Sequence, residues 1–281
     1  MFDIKGPLYY CEEGIKADAK SGSFKARKKN KGGKTMKVIV NGAGGHMGGI
    51  VRRLVEEGNQ GAVLAAAVES VGHAEGALAS LDAFSGEADC IIDFSHRAGT
   101  KALVEFAVKR KLPLVIATTG QEEAEIAMIH EAAKEIPVFY SHNMAVAVMV
   151  VSQLCKSAAK AFPDADVEII DIHHNRKVDV PSGTALMFAN AIKEVRKDAT
   201  FNIGRPDNGK RTKEEIGLHS LRMGNVVGTH EIIFDTGTQV ITIKHEARDR
   251  AMFAEGAITA AAFLIKQKPG LYTMEDLVRE M

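Results

Sequence analysis

The stretch DIHHNRKVDVPSGTAL, residues 171 to 186, places two adjacent histidines and a lysine ahead of a Pro-Ser-Gly-Thr turn that opens an apolar run. Histidine and lysine side chains commonly donate a proton to a reacting carbon or nitrogen. Ser182, Gly183 and Thr184 fall where a helix is predicted to begin, so their hydroxyls and backbone amides can hold a carboxylate. Positive charge comes from two side chains of the same stretch, His174 and Lys177. The stretch therefore predicts a site that binds an anion and donates a proton.

Three other interpretations of this stretch compete with the first. A metal site favours histidines on one helix face or accompanied by acidic or cysteine ligands, whereas adjacent histidines at a strand end point to opposite faces. Nucleophilic catalysis by Ser182 would need a strand-to-helix elbow of the G-x-S-x-G type, which Pro181 and Gly183 do not supply. A purely structural role for both histidines stays open, because strand ends tolerate histidine well. We expect no metal ion at this site.

The second group of chemically informative residues is a glycine-rich loop, VIVNGAGGHMGG, at the end of the first strand pattern. Gly42, Gly45 and Gly48 recur at three-residue spacing, with Gly44 between them, ahead of a helix pattern. Such glycines let the backbone turn tightly and approach a pyrophosphate, while the helix N-terminus supplies amides and partial positive charge. A merely structural glycine-rich turn is the alternative. The loop predicts binding of a dinucleotide, NADH or NADPH.

An acidic residue bears on which dinucleotide binds. Glu69 ends the second predicted strand, where a carboxylate accepts hydrogen bonds from the adenosine ribose hydroxyls and repels a 2′-phosphate. Ser70 follows it in place of a base, so we expect NADH unless His46, Arg52 or Arg53 reaches a phosphate. A nicotinamide cofactor delivers a hydride, which must be matched by a proton. The glycine loop and the histidine-lysine stretch therefore complete each other as an oxidoreductase site.

The elements predicted around these residues divide the chain in two. From Met36 onward, short apolar runs alternate with helix patterns at residues 46–58, 98–110 and 121–135. That alternation predicts an α/β fold with a Rossmann-type doubly wound parallel sheet, covered by helices on both faces. After Asn143, a helix, a strand and a second helix precede a run of strands, which predicts a second α+β substrate domain built on a mainly antiparallel sheet. A long closing helix is expected to pack back onto the first domain.

These patterns predict four segments. Residues 1–35 are rich in Lys, Gly and Ser without sustained periodicity, and we interpret them as a disordered extension, with a basic nucleic-acid-binding arm as the alternative. Residues 36–143 are predicted to form the dinucleotide-binding domain, and residues 144–249 the domain for substrate binding and oligomerisation. Residues 250–281 are predicted to carry the C-terminal helix that returns to the first domain.

Overall composition restricts the class of partner. Lys plus Arg and Asp plus Glu both total 36 in 281 residues, so no net charge attracts nucleic acid or an anionic membrane. The cysteines Cys11, Cys90 and Cys155 lack a CxxC pair, which argues against a disulfide framework or a zinc site and fits a reducing cytoplasm. No apolar run approaches the length needed to span a bilayer. We expect a cytoplasmic protein whose partners are small molecules and other subunits.

Several motifs together resemble one known family. HHNRKVDVPSGTA is similar to the H-H-x-x-K-x-D-x-P-S-G-T-A signature of the dihydrodipicolinate reductase family, now usually called 4-hydroxy-tetrahydrodipicolinate reductase, of the diaminopimelate route to lysine. NGAGGHMG, IIDFSHRAGT, ATTG and SHNMAVAV resemble further segments of that family, in the family's order. The resemblance covers residues 36–281, and the His-His-Lys-Pro-Ser-Gly-Thr run is its most specific part.

The resemblance implies roles for individual residues. His173 matches the family's proton donor or acceptor, and Lys177 matches its second proton donor. Substrate contacts are implied for His174, Gly183 and Thr184, to which the turn itself adds Ser182. Cofactor contacts are implied for four groups of residues, Gly42, Ala43, Gly44, Gly45, His46 and Met47, then Glu69, then Ala117, Thr118 and Thr119, then Ser141, His142, Asn143 and Met144.

The resemblance also implies a reaction and an assembly. The reaction is hydride transfer from NAD(P)H to the unsaturated heterocyclic dicarboxylate, giving tetrahydrodipicolinate with loss of water from the 4-hydroxy substrate. Family members are typically homotetramers held together through the sheets of their substrate domains, so a homotetramer is expected. The segment from Glu69 to Ala88 is shorter than in many members, which predicts a missing strand or helix. Two alternatives remain, another two-domain Rossmann dehydrogenase acting on a small carboxylate, and a regulator that binds NAD(P) without turnover.

Overall fold

The computed structural model of the protein describes residues 35–281. The predicted extension, residues 1–35, therefore lies outside the described residues apart from Thr35, and so does Cys11. The described part of the chain contains two β-sheets, one of six strands and one of five.

The first sheet contains only parallel strand pairs. Its strands are β1 (Met36–Asn41), β2 (Ala62–Val68), β3 (Cys90–Asp93), β4 (Leu114–Ile116), β5 (Pro137–Tyr140) and β11 (Gly270–Tyr272). They lie in the order β11-β5-β4-β3-β1-β2. Helices that follow the strands along the chain are α1 (His46–Glu56), α2 (Thr100–Arg110) and α3 (Glu123–Ala132).

Alternate residues of these strands face two separate cores. In β1, Val38 and Val40 pack in one core with Val51 of α1, whereas Ile39 packs in the other with Leu103 of α2. Successive side chains of a strand point to opposite faces, and a parallel sheet that is apolar on both faces must be covered on both. The predicted doubly wound sheet is confirmed.

The second sheet is mixed, with the strand order β10-β9-β6-β8-β7. Its strands are β6 (Asp166–His173), β7 (Thr200–Ile203), β8 (Glu215–Arg222), β9 (Gly228–Asp235) and β10 (Val240–Ala247). The antiparallel pairings of β9 with β10 and β6 include more residues than the parallel pairings of β8 with β6 and β7. One face packs against α4 (Val146–Ala161) and α5 (Gly183–Val195). The predicted second unit with its mainly antiparallel sheet is confirmed.

The C-terminal segment returns to the first sheet. Helix α6 (Ala251–Leu264) places Ala254 and Ile258 in the same core as Phe139 of β5. Two elements after it were not predicted, the edge strand β11 and helix α7 (Met274–Arg279). None of the helices in residues 35–281 is both long and apolar enough to cross a membrane.

The connection from β2 to β3 contains little regular structure. It forms one 3-10 turn at Leu81–Ala83 and an isolated bridge between Leu78 and Val68.

Candidate active site

The glycine-rich loop between β1 and α1 has geometry that glycine alone supplies. Gly42 has a φ of +78°, and a Cβ there would lie 2.5 Å from the Phe94 carbonyl oxygen. A Cβ on Gly48 would lie 1.9 Å from the Gly42 carbonyl oxygen, because α1 begins directly against the loop. The amides of Gly42 and Ala43 donate to the Val68 carbonyl at 2.9 and 3.0 Å. The loop thus provides the tight turn and close helix approach that a bound pyrophosphate requires.

A substitution in this loop tests whether it binds the cofactor. We expect Gly48→Ala to weaken NADH binding by about tenfold to a hundredfold, since the added methyl group forces the helix away from the loop. Gly49→Ala is the matched control, because a Cβ there lies 3.7 Å from the Ala43 carbonyl oxygen, an ordinary contact. Calorimetric titration of both variants with NADH makes the comparison, and equal affinities would contradict this use of the loop.

Glu69, directly after β2, binds the glycine loop through its carboxylate. Its Oε2 accepts from the Gly44 amide at 2.8 Å, and its Oε1 accepts from the Val71 amide at 3.0 Å. A Cβ on Gly44 would lie 2.9 Å from Oε2, so a side chain there would displace the carboxylate. Each carboxylate oxygen can accept more than one hydrogen bond. Glu69 is therefore positioned to accept from sugar hydroxyls as well as from the loop.

A cavity of about 590 Å³ lies beside the loop, where the segments after β1, β3 and β4 meet. Predicted cofactor residues in its lining are Gly45, His46, Met47, Ala117, Thr118, Thr119, His142 and Met144. Lining residues that the sequence analysis missed are Phe94, Ser95, His96, Arg97 and Phe253. Predicted cofactor residues outside the lining are Gly42, Ala43, Gly44, Glu69, Ser141 and Asn143. Ligands of open α/β sheets bind at the carboxyl ends of the strands, which is where this cavity opens.

A buried carboxylate ties these strand ends together. Asp93, the last residue of β3, is 1% exposed. Its Oδ1 accepts from Asn41 Nδ2 at 2.7 Å and from Ser95 Oγ at 2.6 Å, and its Oδ2 accepts from Thr118 Oγ1 at 2.6 Å. Burial raises the pKa of Asp93, against the opposing effect of the hydrogen bonds from Ser95, Thr118 and Asn41. The residue was not predicted, although the end of a buried parallel strand is where such a group is expected.

The segment after β5 joins the cavity to the second sheet. Asn143 Nδ2 donates to Thr184 Oγ1 at 3.4 Å, in the first turn of α5. The Asn143 side chain is fixed by the Ala145 amide, which donates to its Oδ1 at 3.0 Å. Ser141 Oγ donates to the Asn143 carbonyl at 2.8 Å. Residues predicted for the cofactor side and for the substrate side are therefore in direct contact here.

His173, the last residue of β6, lies against an acidic partner. Its Nδ1 is 2.8 Å from Asp171 Oδ1, the separation of a charge-assisted hydrogen bond. Both side chains are buried. A Cβ at Gly228 on the adjacent strand would lie 2.9 Å from His173 Nε2, so glycine leaves room for the ring. With Nδ1 held by Asp171, Nε2 is the nitrogen available to exchange a proton.

Asp171 is the centre of a buried polar cluster. Further nitrogen and oxygen donors around its carboxylate are His230 Nε2 at 3.4 Å, the Ser182 amide at 2.9 Å, Ser220 Oγ at 3.1 Å and Arg222 Nη2 at 3.1 Å. Burial acts to raise the pKa of Asp171, but the hydrogen bonds from His173, His230 and Ser182 outweigh it and hold the pKa well below its usual range. Asp171 is therefore ionised at neutral pH and fixes the orientation of the His173 ring.

Lys177 reaches the same cluster through two neighbours. Its Nζ lies 2.8 Å from Asp179 Oδ1. Arg222 Nη2 donates to the Asp179 carbonyl at 2.7 Å as well as to Asp171. The Lys177 side chain is 22% exposed, so its ammonium group is accessible from solution. The two predicted proton donors, His173 and Lys177, are thus linked by one network of hydrogen bonds and ion pairs.

His174 contributes less charge than its residue type suggests. Burial lowers its pKa, and the positive charges of Arg176 and Arg250 act in the same direction. His174 is therefore neutral at neutral pH. Its residue type predicted a source of positive charge, whereas in the structure Lys177 and Arg250 are the cations beside it, and the side chain of Arg176 is engaged with Asn225.

The turn before α5 has a buried part, at Ser182, and an open part, at Gly183 and Thr184. Ser182 is the N-cap of the helix, and its Oγ accepts from the Ala185 amide at 3.2 Å and lies 3.2 Å from His230 Nε2. The Ser182 side chain is buried. A Cβ on Gly183 would meet no atom within 4 Å, so this position faces open space. The hydroxyl of Ser182 is engaged within the protein, and Gly183 and Thr184 are the more open part of the turn.

Asp171, His173 and His230 form a set of potential metal ligands within the described residues, with their ligand atoms all within 4.8 Å of one another. His173 Nδ1 and His230 Nε2 lie 2.8 and 3.4 Å from Asp171 Oδ1. The expectation of no metal ion here stays a prediction.

The late-strand histidines separate by strand register, which spacing along the sequence did not reveal. His230 pairs with Asp171 across β9 and β6, so both side chains point to the same face. His245 stacks on His230 with ring centroids 5.9 Å apart. Burial lowers the pKa of His245, and the neighbouring His230 adds to that effect. His219 lies on the opposite face, 2.7 Å from Glu168 Oε2.

Comparison with known proteins gives one family for both parts of the chain. A family model described as dihydrodipicolinate reductase, N-terminus, matches residues 36–144, and one described as dihydrodipicolinate reductase, C-terminus, matches residues 147–278. The 4-hydroxy-tetrahydrodipicolinate reductase of Caldanaerobacter subterraneus subsp. tengcongensis is 44% identical over 248 residues, covering 87% of this chain and 99% of its own. The protein of the same name from Clostridium tetani is 38% identical over 253 residues, covering 86% and 97%.

A solved structure supports the same fold. The dipicolinate-bound dihydrodipicolinate reductase from Paenisporosarcina sp. TG-14 matches with a TM-score of 0.74 at 22% identity, covering 86% of this chain and 99% of that one.

Proposed function

The chain belongs to the dihydrodipicolinate reductase family, and on that premise we propose how its residues perform the family's reaction. It is an NAD(P)H-dependent oxidoreductase that reduces 4-hydroxy-tetrahydrodipicolinate to tetrahydrodipicolinate, in the diaminopimelate pathway of lysine biosynthesis. The observation that carries the assignment of roles is the contact of Asn143 with Thr184, which sets the nucleotide cavity against the turn before α5. A hydride donor and a dicarboxylate held on these two sides would be adjacent.

The nucleotide is proposed to lie along the glycine loop and the cavity. Positions 42 and 48 leave a cradle that a Cβ would fill, and the N-terminus of α1 offers amides to a pyrophosphate, so the residues present fit a dinucleotide. The cofactor supplies a hydride when bound. Thr118, Thr119, His142 and Met144 are proposed to surround its nicotinamide end, because this part of the cavity adjoins Asn143.

The substrate carboxylates are proposed to bind at the turn before α5. Gly183 and Thr184 offer open backbone amides and a hydroxyl, and His174 offers a ring nitrogen beside them. Lys177 and Arg250 supply the positive charge that a dicarboxylate requires. His173, oriented by Asp171, is proposed to give a proton from Nε2, and Lys177 is proposed to be the second donor.

Binding of dipicolinate tests this substrate side directly, because it is a stable planar dicarboxylate. We expect calorimetry to show saturable binding in the presence of NADH, with Thr184→Val weakening it by about tenfold or more through the loss of a charge-assisted hydrogen bond. Ser157→Ala is the control, since Ser157 on α4 only donates to the Gln153 carbonyl. Unchanged dipicolinate affinity in Thr184→Val would contradict the proposed site.

The preference for NADH is proposed from Glu69, since its carboxylate beside Gly44 would repel a 2′-phosphate. We expect the wild-type enzyme to have a higher kcat/KM with NADH than with NADPH. Glu69→Gln keeps an oxygen for the Gly44 amide and removes the charge, so it should reduce that preference by about tenfold. Glu75→Gln, a nearby exposed carboxylate, is the control and should leave the ratio unchanged. A wild-type preference for NADPH would contradict the proposal.

A homotetramer is proposed from the outer face of the second sheet. Ile170, Ile172 and Ile233 are half-buried on this face, and Leu221 and Val240 are 42% and 59% exposed. The helices α4 and α5 pack on the other face of the sheet. Exposed apolar side chains interspersed with charged ones, such as Glu231 and Lys244 on the same face, are compatible with a subunit interface.

The mass of the protein in solution tests the assembly. We expect light scattering to give the mass of four chains, and Leu221→Asp to shift it to smaller species because a charge would be buried at the interface. Leu154→Asp introduces the same charge on an exposed position of α4 and should leave the tetramer intact. A wild-type monomer would contradict the proposal.

The domain division at residues 143 and 249 is likewise proposed. The match to the N-terminal family model ends at residue 144 and the match to the C-terminal one begins at residue 147, which supports the first boundary. The return of α6 to the first core supports the second. A cytoplasmic location is proposed from cysteine usage, since Cys90 and Cys155 are buried free thiols.

A further inference from the structure

Asp93 is a buried carboxyl group beside the nucleotide cavity for which the reaction described above provides no role. It ends β3, which lies between β1 and β4 in the sheet. The main groups that oppose the effect of burial on its pKa are hydrogen-bond donors, Ser95, Thr118 and Asn41, and Asp93 forms no salt bridge within the described residues. A buried carboxylate stabilised by hydrogen bonds alone depends on every one of those donors.

The hydrogen bonds determine where two hydroxyl protons point. At a pH above its raised pKa, the Asp93 carboxylate is ionised and only accepts hydrogen bonds, and each hydroxyl has one proton to donate. Ser95 Oγ and Thr118 Oγ1, both 2.6 Å from Asp93 oxygens, therefore direct their protons at Asp93. The Asn41 amide and the Ser95 backbone amide occupy Oδ1 as well, at 2.7 and 3.3 Å. Only the lone pairs of the two hydroxyl oxygens remain free.

Ser95 and Thr118 both line the nucleotide cavity. This part of its wall therefore accepts hydrogen bonds and offers none from the two hydroxyls, so it suits an N–H or O–H group and disfavours a phosphate oxygen. Thr118 follows β4 and Asn143 follows β5, its neighbour in the sheet, and Asn143 contacts Thr184. The nicotinamide ring must lie on this side of the cavity to deliver its hydride to the substrate.

We propose that Asp93 is a positioning residue that determines cofactor specificity. Because it accepts hydrogen bonds from the hydroxyls of Ser95 and Thr118, the cavity wall formed by these two residues accepts a hydrogen bond from the carboxamide NH2 of the nicotinamide. The inference rests on the proposed function, because it requires the cofactor to bind in this cavity. Asp93 acts through its two hydroxyl partners and does not itself touch the cofactor.

Asp93→Asn changes the hydrogen-bond direction with little change in shape. The asparagine oxygen remains opposite the donors of Asn41 and Ser95, and its NH2 group faces Thr118, whose proton then turns toward the cavity. The probe is the pair NADH and reduced 3-acetylpyridine adenine dinucleotide, which carries a methyl group in place of the carboxamide NH2. We expect wild type to bind NADH about tenfold more tightly than the analogue, and Asp93→Asn to bind the two within about twofold.

The ratio of the two affinities distinguishes specificity from general damage. Thr118→Ser keeps the hydroxyl and should keep the preference, whereas Thr118→Val removes it and should lose the preference. Asp89→Asn is the matched control. Asp89 lies directly before β3, at the opposite end of the strand from Asp93, and its side chain accepts from the Lys37 amide. All variants are measured by calorimetry at mildly alkaline pH, after circular dichroism has verified folding.

The outcomes separate this inference from the proposed function. A folded wild type that binds neither NADH nor NADPH overturns the proposed function. The role of Asp93 alone is overturned if wild type binds NADH normally and Asp93→Asn keeps the wild-type preference for NADH over the analogue. It is also overturned if Asp93→Asn weakens the binding of both nucleotides equally. If Asp93→Asn does not fold, Thr118→Val decides, because retention of the preference there overturns the inference and its loss supports it.

Discussion

Replacing His173 with glutamine, or Lys177 with methionine, is expected to lower kcat by about 10²–10⁴-fold, the usual contribution of a positioned proton donor. The NADH dissociation constant should stay close to that of wild type, because neither residue lines the nucleotide cavity. His173 is held by Asp171 and Lys177 by Asp179, so each replacement removes one donor from an otherwise intact cluster. The KM for the substrate is expected to rise more for Lys177→Met, which also removes a charge facing a dicarboxylate.

Arg176→Gln provides the matched control for this pair of variants. Arg176 lies between the two donors in sequence, but its guanidinium donates to Asn225 and is exposed. Its kcat should remain near that of wild type. Steady-state kinetics with NADH titration on all three variants gives the test, and near-normal kcat in both His173→Gln and Lys177→Met would contradict their roles.

Asp171→Asn is expected to lower the free energy of unfolding by about 3–5 kcal/mol at neutral pH. The carboxylate is 1% exposed and receives donors from His173, Ser182, Ser220 and Arg222, so an amide would leave Arg222 as a buried charge without its partner. Urea unfolding of the variant and of wild type measures the difference. Asp166→Asn on the same strand should cost less than about 1 kcal/mol, because the Asp166 side chain is 54% exposed.

The same carboxylate predicts the direction of acid sensitivity. The pKa of Asp171 in the folded protein lies below the value of about 3.9 for an unfolded chain. Its stabilising contribution is therefore complete above that pH and is lost progressively as the pH falls below it. The stability difference between wild type and Asp171→Asn should shrink on acidification below about pH 4. A difference that grows on acidification would contradict the assigned pKa shift.

The nucleotide loop could be predicted because its constraints are local. Gly42 needs a positive φ and Gly48 must approach the Gly42 carbonyl, and both requirements appear as glycines at fixed spacing before a helix. The doubly wound sheet was predictable for a similar reason, since a run such as VIV at residues 38–40, apolar at every position, must be buried on both faces.

The polar clusters under the two sites were harder to predict because they depend on strand pairing. Asp171 meets His230 only through the register of β6 with β9, which no spacing in the sequence encodes. One signal was available, since Asp171 precedes His173 by two positions on a strand and so shares its face. Asp93 likewise meets Thr118 only because β3 and β4 are neighbours in the sheet.

The short elements were missed for lack of a local pattern. Strand β11 contributes only Gly270–Tyr272 and depends on β5 for its hydrogen bonds, so no alternation marks it in the sequence. Strand β7 has four residues, of which none is fully buried.

The neutral state of His174 was also beyond sequence analysis, because it follows from burial and from the approach of Arg250.

The coupled assay with dihydrodipicolinate synthase tests the central claim most directly. The purified chain is mixed with NADH or NADPH, and the nicotinamide absorbance is followed before and after the synthase product is supplied. We expect the nucleotide to be oxidised only when that product is present, and His173→Gln and Lys177→Met to nearly abolish the oxidation. Folded wild-type protein that oxidises neither nucleotide in the presence of the product would contradict this claim.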